Sequence, residues 1–375
     1  MMAGSSPYKV PFIRPSLPSS EEISEDYKKI VESNWFTNFG PYERRFCEET
    51  ARFVDQETYV TTAANATLAI DLAVRALLKK DSAKKQVIVP SFTFPSAVAV
   101  LVSHGYTPVL IDVDKAWQPD LSQAKKYLKD NTEKVSGIIL TNTFGVGNQK
   151  VGLWEKLAHK YSLPLIIDSA AGFGSQYEEG THVGAHGDCE IFSLHATKPF
   201  AVGEGGLLVS RSPELIERVR SLQNFGYDSS RNITAVGTNA KLQELNCAIG
   251  LRQLEKLKDR IKNRQELLAY YKEGLQDLGF SFQENDHLST VPFVSTMAPA
   301  KKVVDKMLKA LHDGGVEVKR YYAPLHLQDI FHVHAEKPFS FHTTEKIASR
   351  ILSLPLHDTM NKQTIDEIVG LMARS

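Results

Sequence analysis

The chain reads as an α/β protein, with a mostly parallel sheet flanked by helices on both faces and a smaller C-terminal α+β unit. Three observations predict this. Between residues 58 and 167, short apolar segments alternate with helix-length amphipathic ones, as in a parallel sheet built from strand–helix–strand crossovers. After Gly206 the alternation weakens, and apolar residues recur at helical spacing through Leu242, Leu245, Ile249, Leu254, Leu257 and Ile261. Beyond that lie strand and helix patterns in mixed order. The expected division places a large unit with N-terminal helices at residues 1–240. Linking helices and the small unit occupy 241–375.

Taken in order, Ser19 with Glu22 forms a capping box that opens a helix ending near Ser33. A second helix is expected over 41–53. Strands are predicted at 58–61, 86–89, 107–111, 136–140 and 163–167, with helices at 67–79, 96–104, 121–128 and 153–161 between them. A further buried-strand pattern runs through Ile191 and Phe192 into Lys198, and Gly203-Glu204-Gly205-Gly206 follows. The long helical stretch, 241–278, is expected to bend or break. A strand near 289–294 and helices near 301–311, 343–352 and 362–372 complete the chain.

Composition narrows the function classes. Of 375 residues, 42% are hydrophobic and 23% charged, and 44 basic side chains balance 44 acidic ones. That balance gives no footprint for nucleic acid or a membrane surface. The basic run Lys256, Lys258, Arg260, Lys262 and Arg264 is interleaved with Glu255 and Asp259 and reads as a solvated helix face. Cys47, Cys189 and Cys247 are odd in number and widely spaced, which points to a reducing compartment. No signal-like start or membrane-length apolar run occurs, so a cytoplasmic protein is expected. Met1 to Ser6 reads as a loose tail.

Four features carry chemistry. Lys198 sits at the mouth of an apolar strand, where burial can keep an amine partly neutral and able to form an imine. The glycines after it let the backbone pass close to something bulky. Asp168 ends the apolar run Leu163 to Ile167, with only small residues following. Such a carboxylate can pair with a ring nitrogen, as a pyridoxal phosphate enzyme requires; taken alone, it could equally cap a turn. Thr61 to Thr67 lies between a strand and a helix, and its small residues leave backbone N–H groups for an anion; taken alone, the segment is only a helix cap. Phe92-Thr93-Phe94-Pro95 follows a strand end, and an aromatic there could stack on a planar ring or simply fill the core.

At these residues the chain resembles the DegT/DnrJ group of sugar aminotransferases, within the fold-type I (aspartate aminotransferase-like) pyridoxal phosphate enzymes. The similarity runs over nearly the whole chain. It is carried by Phe36 to Pro41, Asn65-Ala66-Thr67, Pro90 to Phe94, Asp168 to Ala171, Ser193 to Lys198, Gly203 to Gly206, Gly237 to Leu242 with Glu244, Pro324-Leu325-His326 and Leu354-Pro355-Leu356. The resemblance implies that Lys198 holds pyridoxal 5′-phosphate as an internal aldimine. It implies that Asp168 pairs with the pyridine nitrogen, Phe94 stacks on the ring, and Ala66, Thr67 and Ser193 hold the phosphate. Asn239 would reach the phosphate of a neighbouring subunit in a homodimer. Asn142, Tyr321 and Tyr322 fall at positions implied to meet the substrate.

The departures matter as well. Ala66 stands where the family commonly has glycine, so an N–H contact there needs a negative φ. Ala171 replaces a Gln or His and cannot reach the cofactor's 3-hydroxyl, so another group or water must. Lys241 and Asn142 stand where Arg and His are frequent, and a lysine offers charge without a planar fork.

The implied reaction is a ping-pong transfer of an amino group from glutamate, with Lys198 moving the proton. The implied acceptor is a nucleotide-linked keto-6-deoxyhexose, and the best match is 4-amination of dTDP-4-keto-6-deoxyglucose. The product class is aminosugars, including those of lipopolysaccharide O-antigen. A 3-keto acceptor shares most motifs. Relatives that remove a sugar hydroxyl carry His in place of the lysine, and a cofactor-binding regulator is a further alternative. Metal chemistry at His182 and His186, or at His332 and His334, lacks an acidic third ligand.

Overall fold

The computed structural model describes residues 7–79 and 83–374; Met1 to Ser6, read above as a tail, lie outside them. A seven-stranded sheet forms the centre. Its strands are β1 (Tyr59–Ala63), β2 (Gln86–Pro90), β3 (Thr107–Ile111), β4 (Val135–Thr141), β5 (Leu165–Asp168), β6 (Cys189–Ser193) and β7 (Gly206–Ser210), in the order β1-β7-β6-β5-β4-β2-β3. Strands β2 to β6 run parallel, while β7 runs antiparallel to both β6 and β1. The carboxyl ends of β1, β2, β4, β5 and β6 therefore share one edge with the start of β7, and ligand sites of such sheets lie at that edge.

Successive strand residues point to opposite faces, and two cores result. Ile88, Ile138, Ile167 and Phe192 pack on one side. Val87, Val89, Ile139, Ile166 and Ile191 pack on the other. Each such fully buried aliphatic side chain stabilises by ~1.5–3 kcal/mol relative to exposure. That double burial explains why these strands read as unbroken apolar runs.

The helices of this part are α1 (Ser20–Ser33), α2 (Pro41–Val54), α3 (Ala66–Leu77), α4 (Ser96–Ser103), α5 (Leu121–Asn131), α6 (Val151–Lys160) and α7 (Pro213–Leu222). The capping box of α1 forms as expected: Glu22 N–H donates to the Ser19 hydroxyl, and the Glu22 carboxylate accepts from Ser19 N–H. Helix α7 and strand β7 were not expected; the chain keeps alternating for one more strand and helix after Gly206.

Helix α8 (Glu244–Gln276) spans 33 residues as one continuous helix, without the anticipated break. Its first part packs on α1 and α2 and its second on the C-terminal unit, so two different partners support one rod. The basic run on α8 is only partly a solvated face: Lys256, Lys258 and Lys262 are exposed, but the two arginines are not. Arg260 and Arg264 turn inward to Asp358, and Arg264 is 5% exposed. Burial lowers the Arg264 pKa to about 10.

The remaining elements are β8 (Ser281–Phe282), α9 (Lys301–Asp313), β9 (Val294–Met297), α10 (Asp329–His332), α11 (His342–Arg350), β10 (Ile351–Leu354) and α12 (Lys362–Ala373), with the small antiparallel sheet ordered β10-β9-β8. The strand expected at 289–294 begins only at Val294. The residues before it are held irregularly: Thr290 N–H donates to Ser175 Oγ and the Thr290 hydroxyl to Ala171 O. The helix expected to reach Leu352 stops at Arg350, because β10 pairs with β9 from Ile351 onward. The chain's start joins this unit, with Val10 N–H donating to Gly315 O and Val10 O accepting from Glu317 N–H. No helix among the described residues is long and apolar enough to cross a membrane. All three cysteines are free and buried.

Candidate active site

The sheet edge opens into a cavity of about 610 Å³. Ala66, Thr67, Phe94, Asn142, Asp168, Ala171, Ser193, Lys198, Tyr321 and Tyr322 all line it. Ten expected site residues from across the chain thus converge on one space. Asn239 does not. It lies outside the cavity on an exposed segment, where its side-chain oxygen accepts from Lys241 Nζ at 2.8 Å. Lys241 also donates to Asn224 Oδ1 at 3.0 Å. A larger open groove of about 1720 Å³ runs beside α3 and α7, but it contains neither Lys198 nor Asp168.

Asp168 ends β5 and is 3% exposed. Its Oδ1 accepts from Ala170 N–H at 3.0 Å, which caps the turn. Its Oδ2 has no hydrogen-bond partner among the described residues. One oxygen thus caps the turn, and the other is left open at the cavity wall. Burial raises the carboxyl pKa to about 6, against the opposing pull of Ala170 N–H and Lys198. A cationic or protonated ring nitrogen beside Oδ2 would offset that cost.

Lys198 is half-buried in the cavity wall, and its Nζ makes no hydrogen bond or ion pair among the described residues. Burial pushes its amine below the usual lysine value, and the Asp168 charge partly restores it. The direction favours a neutral amine, the form that attacks a carbonyl carbon.

Helix α3 begins at this edge. Asn65 Oδ1 accepts from Leu68 N–H at 2.9 Å, capping the helix. The N–H groups of Ala66 and Thr67 find no acceptor among the described residues. They point from a helix N-terminus, where backbone donors and the helix dipole favour an anion. Ala66 does not have the positive φ that would demand glycine. Ser193, at the end of β6, brings a hydroxyl to the same cavity.

The bulky object that the glycines were expected to accommodate is the protein itself. A Cβ on Gly206 would stand 2.6 Å from the Asn65 carbonyl carbon and 2.8 Å from Ala66 N. A bare glycine lets β7 pack directly on the turn into α3 and fixes that anion corner.

The aromatic side chains divide into buried and accessible. Phe92 is fully buried, whereas Phe94 is 54% exposed and presents its ring at the cavity. Tyr322 stacks on Phe144 at 5.1 Å and meets Phe94 edge-on at 6.2 Å. Burial and the nearby Asp168 charge hold the Tyr322 phenol above its ordinary range.

Asn142 lines the cavity, yet its amide is engaged in the wall. Oδ1 accepts from Asn148 N–H at 2.9 Å, and Nδ2 donates to Ser169 Oγ at 2.8 Å. Ser169 in turn donates to the fully buried Glu190 at 2.7 Å. Ala171 brings only a methyl group. Sequence reasoning gave no role to His195, Glu204, Phe144 or Phe293, which also line the cavity. His195 and Glu204 stood within quoted motifs; Phe144 and Phe293 had no local signal. The His182 and His186 side chains have other partners. His182 stacks on Phe53, His186 bonds Glu155, and no cluster of three or more His, Cys, Asp or Glu occurs among the described residues.

A buried carboxylate, an unpaired amine, an anion corner and an accessible ring thus face one another. The arrangement fits a planar, phosphate-bearing aldehyde cofactor. Comparison with known proteins agrees. The sequence pattern of the DegT/DnrJ/EryC1/StrS aminotransferase family matches residues 18–373. Protein Rv3402c of Mycobacterium tuberculosis is 41% identical over 371 residues, covering 98% of this chain and 90% of that one. The dTDP-4-amino-4,6-dideoxy-D-glucose transaminase of Shigella dysenteriae is 29% identical over 364 residues, covering 95% and 96%. A solved Bacillus cereus chain described as a PLP-dependent aminotransferase is 32% identical, with a TM-score of 0.90 across 97% of this chain and 99% of that one.

Proposed function

This chain belongs to the DegT/DnrJ/EryC1/StrS aminotransferase family, and on that footing we propose that it moves an amino group from glutamate to a nucleotide-linked keto-6-deoxyhexose. It is an enzyme, and pyridoxal 5′-phosphate is its cofactor. The observation that carries the reading is the convergence of Lys198, Asp168 and the free amides of Ala66 and Thr67 on one cavity.

Bound there, the cofactor supplies an electron sink for the carbanion formed when the donor's α carbon loses its proton. Lys198 would hold the cofactor through Nζ, and its amine is placed to take a proton from the substrate and return it. Asp168 would keep the pyridine nitrogen protonated. Phe94 would pack on the ring. Ala66, Thr67 and Ser193 would receive the phosphate. Tyr321, Tyr322 and the Asn142 wall shape the space for the substrate, and Ala171 leaves the 3-hydroxyl to another partner. Burial of Lys198 and the Ala170 N–H bond to Asp168 hold both side chains at the cavity wall.

We propose dTDP-4-keto-6-deoxyglucose as the acceptor, aminated at position 4, with the named activity of the Shigella dysenteriae relative as support. The division near residue 240, a cytoplasmic site of action and a homodimer belong to the same proposal. For the dimer, Asn239 of a second copy would complete the phosphate site. Exposed apolar side chains at Phe225, Tyr227, Ile233 and Val236, on the segment leading to Asn239, support it.

The test is an absorbance spectrum of the purified protein. A visible band should appear, bleach with glutamate, and return on adding the 4-keto sugar nucleotide but not its 3-keto isomer. An unchanged spectrum in Lys198→Ala, or no bleaching in the wild type, would sink the amino-transfer reading.

A further inference from the structure

The chain after β6 folds back on itself and sets a second pair of polar side chains on the cavity wall. Leu194 N–H donates to Gly205 O at 2.8 Å, Val202 N–H to Leu194 O at 2.9 Å, and Ala196 N–H to Gly203 O at 2.7 Å. Gly203 takes φ +97°, which a side chain would resist. Asn246 of α8 clamps the turn from outside, donating to Val202 O at 2.9 Å and to Glu204 O at 3.3 Å. This closed loop brings Glu204 beside His195, and both side chains line the same cavity as Lys198.

The histidine's proton has a defined place. Thr197 N–H donates to His195 Nδ1 at 3.3 Å, and a backbone N–H can only donate, so Nδ1 is the acceptor. The Thr197 hydroxyl lies 2.8 Å from the same nitrogen. The neutral ring therefore carries its hydrogen on Nε2. Nε2 stands 3.5 Å from Glu204 Oε1, too far for a well-formed hydrogen bond. Side-chain exposures of 45% and 64% leave both groups open to a ligand.

The wall thus offers one donor and one acceptor side by side. A hydroxyl matches that pair, since its oxygen can accept from Nε2 and its hydrogen can go to Glu204, each at ~2.8 Å. A carboxylate has no hydrogen for Glu204 and is repelled by its charge. The pair therefore separates the two substrates of a ping-pong enzyme, which must pass through one cavity in turn.

We infer that His195 and Glu204 form a hydroxyl clamp for the hexose ring of the acceptor, a specificity device separate from the residues that hold the cofactor. The inference rests on the sugar-nucleotide reading above. Calorimetric titration of the holoenzyme with dTDP-glucose and with dTDP alone tests it, since only the former carries hexose hydroxyls. His195→Phe and Glu204→Ala should each weaken dTDP-glucose about tenfold while leaving dTDP within about twofold, the loss of one hydrogen bond with a charged or polar partner. His195→Gln, whose amide N–H reaches the same region, should retain most of the affinity, and glutamate should still bleach every variant. The clamp is overturned if the wild type binds dTDP-glucose no better than dTDP. It is also overturned if both variants bind dTDP-glucose normally, or if dTDP weakens in parallel. Failure of glutamate to bleach the wild type would instead strike the amino-transfer reading, because the clamp is judged on sugar binding.

Discussion

Replacing Asp168 with asparagine should stabilise the cofactor-free protein at neutral pH and remove much of the stability that the cofactor adds. Burial lifts the Asp168 pKa from 3.8 to about 6, and the side chain is 3% exposed. For an acid with a raised native pKa, the folded state binds more protons than the unfolded state between the two values. Stability therefore falls as pH rises through roughly 4 to 6, and the full penalty applies above that window. At pH 7.5 the penalty is about 3 kcal/mol, and at pH 5 about half of that. Asparagine keeps an oxygen for Ala170 N–H and carries no charge, so it escapes the penalty. It also deprives Lys198 of a nearby counter-charge, so the net gain is smaller than about 3 kcal/mol. With cofactor bound the order reverses, because a protonated ring nitrogen offsets the buried carboxylate and cannot do so for an amide. Urea unfolding of stripped and loaded proteins at pH 5 and pH 7.5 provides the measurement. The reasoning fails if stripped Asp168→Asn is no more stable than wild type at pH 7.5, or if its advantage is equal at both pH values.

Three further substitutions probe the supports of the site. Gly206→Ala should cost about 3 kcal/mol by overpacking, since its Cβ would meet the Asn65–Ala66 backbone; the urea midpoint and cofactor retention should fall together. Arg220→Ala should destabilise by about 3–5 kcal/mol by leaving the buried Glu43 carboxylate without its ion partner, and adding Glu43→Gln should recover part of the loss in thermal melts. His326→Leu removes the 2.6 Å bond to buried Ser91 and the contact with Glu345; a loss of about 2 kcal/mol is expected in denaturant titration, mostly from the buried Ser91 hydroxyl hydrogen, since Ser91 Oγ keeps its bond from the residue-326 N–H.

The parallel strands were legible because double burial writes unbroken apolar runs, and β3 occupies the predicted residues 107–111. Helix α1 was legible because its start is a local hydrogen-bond motif. Elements whose identity depends on distant partners were not. Ile351 and Leu352 were expected to close a helix, yet pairing with β9 makes them the start of a strand. Strand β7 hides behind the glycines that precede it, and its antiparallel partners β1 and β6 lie elsewhere in the chain. Arg260 and Arg264 looked solvated because Asp358, which draws them inward, is remote in sequence. In the site, strand-end residues such as Asp168 and Lys198 announced themselves by following apolar runs. His195 and Glu204 did not, because their partnership is created by the loop that folds one over the other.

The pairing of β1 with β7 sets an order of events in the life of the chain. Among the described residues strand β1 has β7 alone as a neighbour in the sheet, and the turn into α3 is packed against the first residue of β7. A polypeptide emerging from the ribosome presents Ala66 and Thr67 early, but the surface that fixes them arrives only with Gly206 to Ser210. Closing so long a loop is slow relative to local structure. The lysine loop, residues 194–205, is delivered just before that closure. The anion corner is therefore complete only once Gly206 to Ser210 have joined the sheet.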